Sequence, residues 1–202
     1  MVRKTKEEAQ ATRERILNAA EHLFHAQGVS ATSLQDIAAG AGVTRGAVYW
    51  HFSDKADLFN AMMERVCLPM EEPGTLADRQ APALQTLRTH LLGILRRVAE
   101  DEQVGRVFEI ATRKIEHVDA LRAVRDRHVQ GRGEHLKQLE CVLRAAQQRA
   151  EIQQSPSPQK MAMGLQALLD GLIHNWMLDR NSFDLMAAGR SAIDIYLAGL
   201  KA

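Results

Sequence analysis

Apolar residues recur at intervals of three and four from near the start of the chain to its end. Ile16, Ala20, Leu23 and Phe24 form the first stripe, ending at Gly28. Ile37, Ala38 and Ala41 mark a short second helix, Val48 a third, and Leu58, Phe59 and Met62 a fourth. Leu84, Leu87, Leu91, Ile94 and Val98 then step along one face of a longer helix, and Val104, Val107, Phe108, Ala111 and Ile115 repeat the pattern. Leu121 and Val124 begin a seventh, resumed past Gly131 and Gly133 by Leu136, Leu139, Val142 and Leu143. Two more follow, one through Leu165, Leu169, Ile173 and Trp176 and the last through Leu185, Ile193, Tyr196, Leu197 and Leu200. No stretch alternates with the period of two that a half-buried strand requires. The fold class is all-α, with about nine helices.

Capping residues sharpen the early part. Thr5 with Glu8 fits a capping box, as do Thr32 with Gln35 and Ser33 with Asp36. Thr44 reads as the N-cap of the third helix and Ser53 as that of the fourth. Two short capped helices joined by a tight turn at Gly42 are a helix-turn-helix. Ala38 is small where the helices cross, and Gly42 can take the positive φ of the turn. Helices this short are marginal alone, so the face of the second must be held by its neighbours and used. Pro69, Pro73, Gly74 and Pro82 mark a break. The expected organisation is two domains, residues 1–60 with the helix-turn-helix and residues 61–202 as a second helical domain.

Charge does not make the case for nucleic acid. The formal net charge is +1, and residues 1–60 hold seven Lys/Arg against seven Asp/Glu. Recognition of DNA must rest on arrangement. The arrangement is unusual: Tyr49-Trp50-His51-Phe52 crowds four flat side chains together in a chain that is 4% aromatic. The exposed face of the second helix offers Thr44, Arg45, Gly46, Tyr49, Trp50 and His51. Thr44 can bond a base edge or a phosphate, and Arg45 can be bidentate to guanine. Gly46 lets a duplex approach the backbone. Tyr49, Trp50 and His51 can reach thymine methyls or phosphates, and Ser33 and Gln35 open the preceding helix on the same side. Lys55, in the first turn of the fourth helix, fits a phosphate contact. Phe52 reads as core, and Trp50 is balanced between packing and contact.

Other chemistry is thin. No nucleophile elbow, phosphate loop, His-Glu-x-x-His or Glu-x-x-His pattern occurs. An enzyme is therefore disfavoured, and no cofactor or metal is expected. His22 and His25 share a helix without a further ligand. Cys67 and Cys141 read as small buried hydrophobes, and Glu109, Glu116 and Asp170 as solvated. No apolar run of about 18 residues or export signal is present, so no membrane partner and a cytoplasmic location are expected.

The stretch TSLQDIAAGAGVTRGAVYWHFSDKADLF resembles the DNA-binding signature of TetR-family transcriptional regulators. MVRKTKEEAQATRERIL with VTRGAVYWHF is similar to the AcrR-type subgroup, which represses multidrug efflux pump genes, and FEIATRKIEHVDAL and GLIHNWMLDRNSFDL echo it. The resemblance implies a homodimer on palindromic operator DNA, with the last two helices (159–179 and 183–200) pairing between subunits. It also implies a pocket for a hydrophobic ligand. Met63 and Cys67 share a face of the fourth helix and Phe108, Thr112 and Ile115 a face of the sixth, which makes them the pocket candidates. The alternatives are a sensor of one metabolite, such as an acyl-CoA or fatty acid, and an all-α enzyme.

Overall fold

The computed structural model describes residues 6–66, 76, 82–114 and 122–201, with only the backbone for 122–125, 127 and 128. Nine helices occur among these residues: α1 (Lys6–Gln27), α2 (Leu34–Gly40), α3 (Arg45–His51), α4 (Lys55–Arg65), α5 (Ala83–Glu100), α6 (Glu102–Arg113), α7 (Arg122–Gln148), α8 (Pro158–Leu178) and α9 (Leu185–Gly199). No strand is present among them. The all-α expectation and the helix count hold. Met63, Phe108 and Thr112 of the expected pocket can be placed, whereas Cys67 and Ile115 lie outside the described residues. So do the Thr5 cap, Glu116, and the break at 69–82 apart from Leu76 and Pro82.

The chain divides into two compact units. One holds α1–α4 and α6 from Arg106 onward; the other holds α5, the first turn of α6, α7 from Val129 onward, α8 and α9. In the first unit α1 is the centre. It buries Ile16, Leu17, Ala20 and Phe24 completely and packs on α2, α3 and α4. Phe24 meets the ring of Phe59 with centroids 6.0 Å apart. α1 stops where the periodicity predicts: Gly28 takes φ +89° while its N–H closes on Phe24 O.

In the second unit α5, α8 and α9 pack on one another. Glycine lets two of these crossings close. A Cβ at Gly189 would strike Leu95, and one at Gly164 would strike the Tyr196 phenol, whose hydroxyl donates to Met161 O at 2.9 Å. α7 runs unbroken through Gly131 and Gly133. Two sequence expectations fail here. Cys141 is exposed rather than buried, because it sits on the outer face of α7. Asp170 is not a simply solvated acid: Arg132 reaches it at 2.9 Å and the Gln166 amide donates to it at 2.8 Å.

That amide begins a buried polar chain across α8, α7 and α5. With its N–H₂ on Asp170, Gln166 turns Oε1 toward His135 Nδ1, 2.6 Å away. His135 Nδ1 therefore donates, its Nε2 accepts, and His90 Nε2, 2.9 Å away, supplies the proton. His90 is 5% exposed and His135 fully buried. Burial, and then the charge of His135, lowers His90 to about 4. Burial also lowers His135, against the pull of Gln166 and Asp170. Both are bases whose folded pKa lies below the unfolded value, so their neutral packing favours folding above the unfolded pKa of about 6.5. The stability this contributes declines as the pH falls through the window from about 6.5 to 4, in which the unfolded chain binds protons that the folded chain refuses. Urea unfolding should show this decline across that window, and His90→Gln should flatten it. A decline identical in the variant would place the titration elsewhere.

Candidate nucleic-acid interface

The helix-turn-helix is built as its caps predict. Ser33, not Thr32, caps α2: its Oγ accepts from Asp36 N at 3.1 Å, and Ser33 N–H donates to Asp36 Oδ2 at 2.8 Å. These bonds from the Ser33 side chain and backbone hold the Asp36 carboxyl below its usual range. Thr44 caps α3, accepting from Ala47 N at 3.2 Å. Between them Gly42 takes φ +64°, a left-handed turn that costs most side chains about 1–2 kcal/mol. α4 starts one residue later than expected, with Asp54 rather than Ser53 as N-cap. Asp54 Oδ1 accepts from Asp57 N at 2.8 Å, while Ser53 donates to the Asp57 carboxylate.

Beneath the surface Ile37, Ala38 and Val48 are fully buried and Phe52 nearly so. Ile37 and Val48 each contribute about 1.5–3 kcal/mol by leaving water, which helps to hold two helices of seven residues that would not persist alone. Phe52 is core, as expected, and the Arg13 guanidinium lies over its ring at 5.2 Å. Arg13 thus stands beside the α3 surface, a placement that no local pattern in the sequence signals.

The opposite face of α3 is open. Thr44, Arg45, Gly46, Tyr49 and Trp50 are exposed, as are Ser33 and Gln35 at the start of α2; His51 is half-buried. Trp50 is 72% exposed, so its ring is not core packing. It meets His51 edge-on with centroids 4.5 Å apart. Arg45 Nη2 donates to Tyr49 Oη at 3.1 Å, and its guanidinium lies 5.4 Å from the ring centroid. The two side chains brace one another one turn apart, and three of Arg45's donor hydrogens or more stay available to a ligand.

Lys55 departs from its expected place. Its ammonium donates to the carbonyls of Val29, Ser30 and Thr32 at 2.8, 3.2 and 3.0 Å. An ammonium has three donors, and these are all committed to the loop between α1 and α2. The side chain is a tie that fixes the start of α4, not a phosphate contact held out to solvent.

The pocket candidates separate in the same way. Met63 and Phe108 are buried, but Thr112 is exposed and its hydroxyl donates back to Phe108 O at 2.8 Å. Ala111, not Thr112, shares the buried face with Phe108. Glu109 also departs from the solvated expectation: it lies 3.3 Å from His25 Nε2 and 3.9 Å from Arg113. No group of three or more possible metal ligands occurs among the described residues, and no described helix is long and apolar enough to cross a membrane.

Lys55→Ala should therefore lower unfolding stability by about 1–3 kcal/mol, because three half-buried carbonyls lose a charged donor. It should leave the salt dependence of duplex binding unchanged, whereas loss of a phosphate contact would reduce the slope by about one. Chemical denaturation and binding at several salt concentrations separate the two outcomes.

Residues 16–62 match the family described as "Bacterial regulatory proteins, tetR family", and residues 82–202 match "MAATS-type transcriptional repressor, C-terminal region". The chain is 36% identical to the HTH-type transcriptional repressor BepR of Brucella suis over 203 aligned residues, spanning 100% of this chain and 97% of BepR. Its fold is similar to that of NalD, the secondary repressor of the MexAB-OprM multidrug efflux pump in Pseudomonas aeruginosa. There the TM-score is 0.88 at 33% identity, over 97% of this chain and 98% of NalD. It is also similar to SmeT in complex with triclosan, with a TM-score of 0.83 at 35% identity over 96% of this chain and 93% of that one. SmeT is the repressor of the Stenotrophomonas maltophilia multidrug efflux pump SmeDEF. With both halves matched and the α3 surface open, the chain belongs to the tetR family: it is a transcriptional regulator and not an enzyme.

Proposed function

We propose that this regulator represses a multidrug efflux operon, binds a palindromic operator as a homodimer in the cytoplasm, and is released by a hydrophobic drug. The observation that carries the reading is the α3 surface. Five polar, aromatic or glycine positions from Thr44 to Trp50 stand out at a helix whose other side is locked into a core, with His51 half-buried beside them. BepR, NalD and SmeT, named as repressors, supply the direction of regulation, and the last two also supply the efflux genes. Triclosan bound to SmeT supplies the ligand class.

Thr44, Arg45, Gly46, Tyr49, Trp50 and His51 contact the major groove and its phosphates, with Ser33 and Gln35 on the flanking backbone. Two copies place their α3 helices one turn of DNA apart, roughly 34–36 Å. The self-association surface is on α8 and α9, where Met163 and Ile195 are exposed. Bare apolar side chains on adjacent helices fit a second copy of this chain. The ligand lies against Met63, Cys67, Phe108 and Ile115, and it weakens operator binding only by as much as it prefers the released state.

The test begins with a duplex selected in vitro from a random pool by the full-length protein. A palindrome bound by two chains, and released on adding triclosan, is expected; selection of no duplex removes the reading. Arg45→Ala should cost about 1–3 kcal/mol on that duplex and relax its sequence preference. An equal loss on random DNA would make Arg45 a phosphate contact.

Gly46 gives a sharper test. A Cβ there meets only Thr44 Oγ1, at 3.9 Å. Gly46→Ala should be neutral or stabilising by up to about 1 kcal/mol, since alanine is the better helix former. The same methyl should weaken duplex binding if the backbone of α3 is approached closely. Unchanged affinity would show that the duplex does not come near this turn.

A further inference from the structure

The buried chain through α8, α7 and α5 has a direction. Gln166 Nε2 donates to Asp170 Oδ1 at 2.8 Å, His135 Nδ1 to Gln166 Oε1 at 2.6 Å, and His90 Nε2 to His135 Nε2 at 2.9 Å. Every donor points toward the Asp170 carboxylate, so each bond polarises the next. The links differ in strength. The bond to Asp170 is charge-assisted. The bond between the imidazoles joins two neutral rings, tilted by 37° with centroids 5.1 Å apart. Burial disfavours the charged form of both. All four residues belong to the second compact unit.

What could enter the bond between the imidazoles is set by its two ends. His90 presents an N–H and His135 a lone pair, and the two face each other. A hydroxyl is donor and acceptor at one oxygen. Placed between the rings, it accepts from His90 and donates to His135, and the run of donors toward Asp170 continues. The two nitrogens then stand about 4.5 Å apart, each at ordinary hydrogen-bond distance from the oxygen. An ether oxygen accepts from His90 but leaves His135 Nε2 without a proton. A carboxylate sets a second lone pair against that nitrogen, and burial opposes the imidazolium that would relieve it. Hydrocarbon is close by for the rest of such a ligand. Leu91 and Ile94 on α5, Leu139 on α7, and Leu165 and Leu169 on α8 are buried within about one turn of the polar groups. A phenol suits the pair better than an alcohol, because its more acidic proton matches the imidazole acceptor and its flat ring the leucines.

We propose that the His90–His135 pair is a binding site for a neutral apolar phenol, whose hydroxyl inserts between the two imidazoles. The site is on α5, α7 and α8, apart in the chain from Met63 and Phe108. Binding needs no DNA; any effect on the operator rests on the ligand-released reading above. Insertion lengthens the link between α5 and α7, so the phenol prefers a state in which these helices stand further apart. The same chemistry turns away fatty acids at neutral pH, since a carboxylate cannot donate.

The test uses the full-length protein at neutral pH with thymol, triclosan and the methyl ether of each. Calorimetry gives the dissociation constants, and NMR of labelled imidazole nitrogens reports on His90 and His135. Each phenol should bind about tenfold more tightly than its ether, because the ether strands a buried acceptor. An apolar cavity without the pair would favour the ether, the less polar of the two. Bound phenol should shift the Nε2 signals of both histidines. His135→Leu should bring phenol and ether within about twofold of each other, while His135→Gln, which keeps a carbonyl acceptor, should retain the preference. If His135→Leu does not fold, the wild-type ratio and the nitrogen shifts decide alone. Phenols that fail to bind, phenol and ether that bind equally, or a bound phenol that leaves both nitrogens unmoved would overturn the proposal. The selected duplex separates this outcome from that of drug release. Phenol that binds as expected but leaves the duplex in place removes the release reading only. Release by phenol and ether alike removes the His90–His135 site only.

Discussion

A helix of seven residues cannot hold its shape alone, and the construction of the N-terminal unit follows from that limit. α3 has one fully buried side chain, Val48, and a capping threonine at its start. Its remaining positions are given over to surface. Rigidity has to come from outside: from α2 through the Gly42 turn, from Phe52 just past its end, and from α1 beneath. The helix can expose a tryptophan to 72% of its free area because others carry the burden of folding.

The outside support is polar as much as apolar. Ile16, Leu17, Ala20 and Phe24 supply the hydrophobic contacts of α1, but apolar packing fixes distance better than rotation. Rotation and register are set by bonds with direction. Lys55 points into three carbonyls of the α1–α2 loop, and Glu21 receives guanidiniums from α4 and α6. Each such group is buried enough that a missing partner is costly and a misplaced one weak. A recognition surface positioned this way is stiff until one partner moves. Interfaces built on such bonds switch between discrete arrangements rather than deform smoothly.

What the sequence made legible has a physical boundary. Helix positions were readable because amphipathic packing imposes a period of 3.6 on neighbours in the chain. Caps were readable because they join residues three apart, as with Ser33 and Asp36. The start of α4 shifted by one because Ser53 and Asp54 both satisfy groups around Asp57, and only geometry decides between them. Lys55 was misread because the acceptors that capture it lie 23 to 26 residues back in the chain and are backbone carbonyls, which carry no residue signature. Glu21 was invisible for the same reason, since its partners lie 44 and 85 residues away. The exposure of Tyr49 and Trp50 on α3 could be read because so small a core has room for few of the crowded aromatics, and Phe52 fills it. The pocket residues could not, since Met63 and Phe108 look alike whether they line a cavity or fill one.

Charge gives this scheme its functional sense. A segment with seven basic and seven acidic residues in its first sixty gains little from bulk attraction to DNA. On α3 the only cation fixed by charge is Arg45, and it is braced against Tyr49 rather than left to search for phosphates. Affinity of the proposed dimer then depends on a few directed contacts made in both half-sites together. Such contacts are lost when the spacing between half-sites is wrong by a small distance, since hydrogen bonds weaken steeply with misalignment, whereas a strongly basic surface would hold on through diffuse attraction. A near-neutral recognition unit is therefore the kind that a ligand of modest differential affinity can release. The small net charge, uninformative about whether the protein binds DNA, bears on how easily it can be made to let go.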